Sequence, residues 1–270
     1  MDRNANRPAT AIIQNSPTID GRAISDIVSG RLVALRVADF YPKNLCDQFS
    51  ERIAHYQHVG HYPLQPDVKK IGKAIYDAAA DPPALEDYYA TAHDALVQMR
   101  NFFHPYLSPM DKIRLVLQEV WPAGSMIESL HGKLMFCGLV RMYLTGSEAR
   151  PHQDMTHWDI PDSPAAKTLV TQIAANIYLA PGDDGGNLEL WSYGITDRDE
   201  YDRARTPSDY GLDRKKLLMS VAEIKPLKGE LILFDARKIH AVSRINVGVR
   251  ITVSCFIGYR SPAAPLTVYS

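Results

Sequence analysis

Five residues of this 270-residue chain have types and spacings that could assemble one metal-centred reaction site. The string Arg150-Pro151-His152-Gln153-Asp154 sets an imidazole and a carboxylate two positions apart. In extended backbone, residues i and i+2 point to the same side, so His152 and Asp154 can approach one metal together. His240 lies 86 residues after Asp154, just past the apolar run Leu231-Ile232-Leu233-Phe234-Asp235. Two imidazoles and a carboxylate on one side of a metal leave the opposite side open, the arrangement suited to Fe(II) and O2. Ten residues beyond His240 stands Arg250. A guanidinium there can take a carboxylate through two parallel hydrogen bonds and so anchor the far end of a dicarboxylate. Thr252, on the same strand face, adds a hydroxyl. His-x-Asp alone arises by chance; the whole series at these spacings is a specific signal.

These side chains need strands to carry them. The segments 138–145, 168–180, 186–191, 230–235 and 249–260 are apolar, β-branched and punctuated by Gly, Pro or Asp-Gly, and read as strands. Gly185-Gly186-Asn187 lacks the Lys-Ser/Thr of a phosphate loop and reads as a hairpin turn between two barrel strands. The first half is mainly helical. Leu45, Phe49, Ile53 and Tyr56 fall at helical spacing, and two more helical patterns cover 84–103 and 111–121, the second after the start signal Ser108-Pro109. Residues 32–37 alternate as a strand. The fold expected is mainly β with α: a double-stranded β-helix (jelly-roll) core, N-terminal helices packed outside it, and a helical lid insertion. The boundaries read as a flexible arm over 1–24 and one domain over 25–270. Within that domain, helical support spans about 40–122, the jelly roll about 134–260 and the lid about 194–224. His157 and Trp158 follow the ligand motif closely and are candidates for a substrate entrance.

A near-neutral net charge of -1 gives no electrostatic footprint for nucleic acid or an anionic membrane, and a small-molecule substrate is expected. A homodimer is compatible with the composition and not specified by it. Three widely spaced cysteines without a CxxC pair, and no signal-peptide or membrane-span pattern, point to the cytoplasm.

The stretches RMYLTGSEARPHQD, NIYLAPGDDGGNLELWS and GELILFDARKIHAVSRI, with VRITVSCFIGY, resemble the iron(II)/2-oxoglutarate oxygenase superfamily. The likeness is to small-molecule members such as the N-acyl amino acid hydroxylases and the carrier-independent alkaloid halogenases. It covers most of the chain from about residue 30, and its specificity lies after residue 138. It implies Fe(II) on His152, Asp154 and His240, 2-oxoglutarate as cosubstrate on Arg250, with Arg141 a second candidate, and O2 as oxidant. Oxidative decarboxylation would yield succinate and CO2 while an unactivated C–H of an amino acid derivative or natural-product intermediate is hydroxylated. The segment beginning IGKAIYDAAADPP implies Gly72, Ile75 and Tyr76 as part of the substrate wall. The halogenases carry Gly or Ala where this chain has Asp154, which favours hydroxylation. Desaturation, cyclisation or epimerisation would use the same cofactors. A jelly-roll protein that binds metal and ligand without O2 chemistry would have no use for Arg250.

Overall fold

The computed structural model describes residues 12–270 apart from 63–64 and 207–210. In chain order, the N-terminal half comprises β1 (Ile13–Ser16), α1 (Gly21–Val28), β2 (Ala34–Val37), α2 (Lys43–Ala54), β3 (Gly60–Tyr62), β4 (Gln65–Ile71), α3 (Ile75–Ala78), α4 (Pro82–Phe103) and α5 (Pro109–Val120). The second half carries β5 (Leu139–Tyr143), β6 (Ala149–His152), α6 (Thr156–Asp159), β7 (Thr171–Pro181), β8 (Leu188–Leu190), α7 (Arg198–Ala204), β9 (Ala222–Ile224), β10 (Leu231–Asp235), β11 (His240–Val242), β12 (Arg250–Tyr259) and β13 (Leu266–Tyr269).

Eight of these strands form the expected jelly roll. The major sheet runs β10-β7-β12-β5 and the minor sheet β9-β8-β11-β6. Apart from β8 and β9, which are neighbours in the minor sheet, consecutive strands from β5 to β12 alternate between the two sheets. The major sheet is extended on one flank by β2 and β1 and on the other by β4 and β3. β7 and β12 are almost wholly buried, as expected of central strands covered on both faces. Apolar stripes of α2, α4 and α5 pack on the outside; Phe49, Phe103 and Leu117 are fully buried there.

Two boundaries and one turn differ from those read in sequence. Residues 1–11 of the expected arm lie outside the described residues, but the arm does not reach residue 24. Ile13–Ser16 pairs parallel with Ala34–Val37, and Asp20 caps α1 by accepting from Ala23 N at 2.7 Å. Four residues are too few to display a strand pattern, and an open sheet edge captured them. The insertion ends before 222, because Ala222–Ile224 pairs with Leu188–Leu190 as a barrel strand. Gly185 and Gly186 do not close a hairpin: β7 and β8 lie in different sheets, and the glycines make the crossing. A Cβ on Gly185, at φ +75°, would collide with the backbone carbonyl of Arg244.

Candidate active site

The metal-ligand candidates meet through the register of the minor sheet. His152 at the end of β6 stands directly opposite His240 at the start of β11. Directly opposed residues share a face, and the two imidazole centroids are 4.3 Å apart. Asp154 follows two positions on, its backbone fixed by Asp154 N donating to Ala236 O at 2.8 Å. One ligand atom from each of the three residues lies within 4.8 Å of the others.

Hydrogen bonding sets which imidazole nitrogen faces the centre. His152 Nδ1 lies 2.7 Å from Arg150 O, and His240 Nδ1 lies 3.0 Å from Lys238 O. A carbonyl only accepts, so both Nδ1 atoms carry a proton and both Nε2 atoms are turned to the centre as the nitrogens that would meet a metal. His240 Nε2 lies 3.3 Å from Asp154 Oδ2. Burial, then the neighbouring His240, pushes His152 down to about 4, so it is neutral at ordinary pH. Burial would raise the Asp154 carboxyl. The hydrogen bond with His240 and the positive surroundings of the site, Arg141 among them, outweigh that and hold it below its usual range. Two imidazole Nε2 atoms and one ionised carboxylate on one side of a point form a donor set that fits Fe(II). The floor beneath is rigid. Thr156 N donates to Gln172 Oε1 at 3.0 Å, and Thr156 Oγ1 lies 3.0 Å from the buried Tyr269 hydroxyl.

A cavity of about 530 Å³ opens over this trio, room for a small cosubstrate and a substrate together. On β12, Arg250 and Thr252 face into it. Arg250 is 3% exposed, and its guanidinium lies between the rings of Tyr143 and Tyr178, 5.1 and 4.9 Å from their centroids. Arg250 donates to the Tyr178 hydroxyl at 3.4 Å, while its Nε has no partner among the described residues. Burial raises Tyr178, so that hydroxyl stays neutral beside the charge. A buried guanidinium with no carboxylate among the described residues is costly unless an anion completes it.

Of the other residues singled out in sequence, Arg141, Tyr76 and Trp158 line the cavity, and Gly72, Ile75 and His157 do not. Ile75 is core, 1% exposed. Gly72 has φ +100°, and a Cβ there would lie 2.7 Å from the Phe136 ring, so glycine is needed for packing. His157 packs edge-on against Trp158 at 5.9 Å. Sequence reasoning missed Tyr62, Tyr143, Asp159 and Gln153. Tyr143 could have been found, since it sits at i+2 from Arg141 on one strand. Asp159 shares the cavity, and burial followed by the nearby Asp154 charge raises its carboxyl to about 7. Gln153, between the two ligands, exchanges two hydrogen bonds of 2.7 Å with the backbone of Ile195 at the root of the insertion. From that insertion, Arg198, Tyr201 and Arg205 line the mouth.

A jelly roll with a His-Asp-His centre and an arginine on its last strand defines an iron(II)/2-oxoglutarate oxygenase. More narrowly, the chain belongs to the family of the carrier-protein-independent halogenase WelO5, whose profile matches residues 14–269. It is 24% identical over 249 residues to the L-gamma-glutamyl-L-propargylglycine hydroxylase of Streptantibioticus cattleyicolor, covering 88% of each chain. It is 31% identical over 163 residues to the leucinostatins biosynthesis cluster protein S of Purpureocillium lilacinum, covering 57% of this chain and 65% of that one. The fold matches the crystal structure of an N-substituted L-amino acid dioxygenase from Burkholderia ambifaria with a TM-score of 0.60 at 15% identity, over 94% of this chain and 92% of that one. Among the described residues, no helix is long and apolar enough to cross a membrane.

Proposed function

We propose that this protein hydroxylates an unactivated C–H of a small amino acid derivative or natural-product intermediate, with His152, Asp154 and His240 holding Fe(II) and Arg250 anchoring 2-oxoglutarate. When bound, the metal and cosubstrate supply O2 activation coupled to conversion of 2-oxoglutarate to succinate and CO2. The chain's own contribution is positioning. The carbonyls of Arg150 and Lys238 orient the imidazoles, and Arg250, with Thr252 beside it, fixes the far carboxylate. The enclosing strands keep water from the reacting side. The observation that carries this reading is that the three ligand atoms and the uncompensated Arg250 share one cavity. Asp154 supports hydroxylation within a halogenase-named family, because its carboxylate takes the position that an incoming chloride would need. The hydroxylase name of the Streptantibioticus relative points the same way.

The insertion after Ile195 forms part of the mouth and serves in this reading as a lid that helps select the substrate. Three buried thiols without disulfides suit a reducing, cytoplasmic setting. The test is a metabolite panel scored by succinate formation and by mass spectrometry for products that gain one oxygen. Iron-loaded protein that turns over 2-oxoglutarate with no panel member, or products lacking added oxygen, would count against it.

A further inference from the structure

Besides Arg250 and the mouth-lining Arg198 and Arg205, the cavity holds a further guanidinium, on the wall away from the insertion. Arg141 on β5 stands opposite Thr252, with Arg250 two residues to one side along β12 and Ser254 two residues to the other. Its side chain leans toward Ser254, donating to Ser254 Oγ at 2.9 Å. Nε donates to the Tyr62 hydroxyl at 3.2 Å and a terminal nitrogen to the Tyr76 hydroxyl at 3.1 Å. These tyrosines stand 2.8 Å apart, hydroxyl to hydroxyl, on the wall made by β3 and α3. The Arg141 guanidinium is thus held toward the Ser254 side of the strand pair, away from Arg250 and against the N-terminal half.

All three partners are hydroxyls. Burial raises both Tyr62 and Tyr76, so neither supplies a negative charge at ordinary pH. The remaining acids of the cavity are engaged elsewhere: Asp77 pairs with Lys70, Asp154 belongs to the metal trio, and Asp159 lies near Arg198. Among the described residues no carboxylate pairs with Arg141. A guanidinium has five N–H donors, and three are used. The two that remain sit one on each terminal nitrogen, a fork that matches a carboxylate. With the site loaded, the metal and Arg250 balance Asp154 and the two carboxylates of 2-oxoglutarate, which leaves Arg141 without a counter-ion.

We propose that Arg141, braced by Tyr62, Tyr76 and Ser254, binds a carboxylate of the substrate, so that the enzyme selects small carboxylic acids over their neutral counterparts. This rests on the iron/2-oxoglutarate reading above and names the substrate class within it. The bracing hydroxyls aim the fork and exclude water without neutralising it. A neutral amide in the same place would leave the guanidinium uncompensated.

The test uses the protein loaded with Fe(II) and 2-oxoglutarate, with O2 excluded, titrated calorimetrically with N-acetyl-leucine, N-acetyl-phenylalanine and N-acetyl-lysine. Each is offered as the free acid and as the carboxamide. At least one acid should bind roughly tenfold or more tightly than its amide, the scale of a charge-assisted hydrogen-bond pair. Arg141→Gln should erase that ratio and Arg141→Lys restore part of it, with 2-oxoglutarate affinity in both changed by no more than about threefold, as expected where no shared partner is lost. An acid-to-amide ratio near one for every pair in the wild-type protein overturns the proposal, as does a preference that survives Arg141→Gln. Loss of 2-oxoglutarate affinity in Arg141→Gln to the extent seen on replacing Arg250 overturns it too, by giving Arg141 to the cosubstrate. Failure of the wild-type protein to bind Fe(II) and 2-oxoglutarate at all would instead sink the reading beneath, and this one with it.

Discussion

The cavity has two walls built on different principles. The jelly-roll wall places His152, His240, Arg250 and Thr252 by strand register, so each side chain's direction follows from its position in a ladder of backbone hydrogen bonds. The N-terminal wall brings in Tyr76 on the short helix α3 and Tyr62 at the end of an edge hairpin, and their side chains are tied to the cavity by hydrogen bonds to Arg141 across 65 and 79 residues of sequence. The first kind fixes the reacting groups with little dependence on any single contact. The second can change with a few substitutions while the barrel stands, and is therefore suited to setting which substrate fits. The two meet where α6, just after the metal motif, packs against α3.

The largest losses are expected on the jelly-roll side. Asp154→Gly removes a ligand and its charge, and hydroxylation should fall by more than about 100-fold, beyond the range typical of removing a supporting group. High chloride should then give some chlorinated product, since chloride can fill the vacant position with the same charge. Product formation at the wild-type rate, without added carboxylate, would mean Asp154 is no ligand. Arg250→Leu should weaken 2-oxoglutarate binding by about 2–5 kcal/mol, the cost of truncating one partner of a buried charge pair. Iron binding, titrated anaerobically, should survive. Unchanged cosubstrate affinity would move the anchor elsewhere.

Where the walls meet, Asp159 makes the stability of the fold depend on pH. Its folded carboxyl titrates near 7, against an ordinary carboxylate value near 4 in the unfolded chain. The folded state therefore binds the extra proton between those values. Its stability falls as pH rises through that window and the full cost remains above it. In metal-free protein, Asp159→Asn should stabilise by about 1–3 kcal/mol at pH 8, discounted because the group is half-buried, and by nothing near pH 4. Denaturant midpoints at the two pH values check this; an equal gain at both would refute it. On the N-terminal wall, Tyr76→Phe should cost about 1–3 kcal/mol of stability, because it removes the hydroxyl that partners both Tyr62 and the charged Arg141. Iron and cosubstrate affinities should not move. A large loss of either would show that the two walls are not separable.

The same difference explains what could be read from sequence. His152 and Asp154 at i, i+2, His240 after an apolar strand and Arg250 at a fixed distance are local patterns, and the sheets bring those four residues to one cavity. The strands at 139–143, 171–181, 231–235 and 250–259 and the helices α2, α4 and α5 were equally visible, because each is long enough to show its period. The hairpin of β3 and β4 was not. It is short, contains Pro66, and is held as a strand by β5, whose pairing at Val68↔Tyr143 and Ile71↔Val140 is set far away in sequence. Tyr62 came to the site with it, unannounced. Gly72 and Ile75 were misplaced by a related cause. Resemblance brought the whole segment to the substrate wall, but only Tyr76 of the three reaches the cavity, while its neighbours pack into the protein.

Strand alternation also makes the cavity's charge depend on counting. Along β12, Arg250, Thr252 and Ser254 line the cavity, while Ile251 and Val253 pack into the core. Deleting Ile251 alone, with the rest of the strand kept in register, would turn Arg250 toward the core and Val249 toward the cosubstrate. Deleting Ile251 and Thr252 together would return the arginine to the cavity one repeat further along, short of one hydroxyl. Length changes in this strand thus come in odd and even kinds: odd ones exchange inside for outside, and even ones slide the site along its rail.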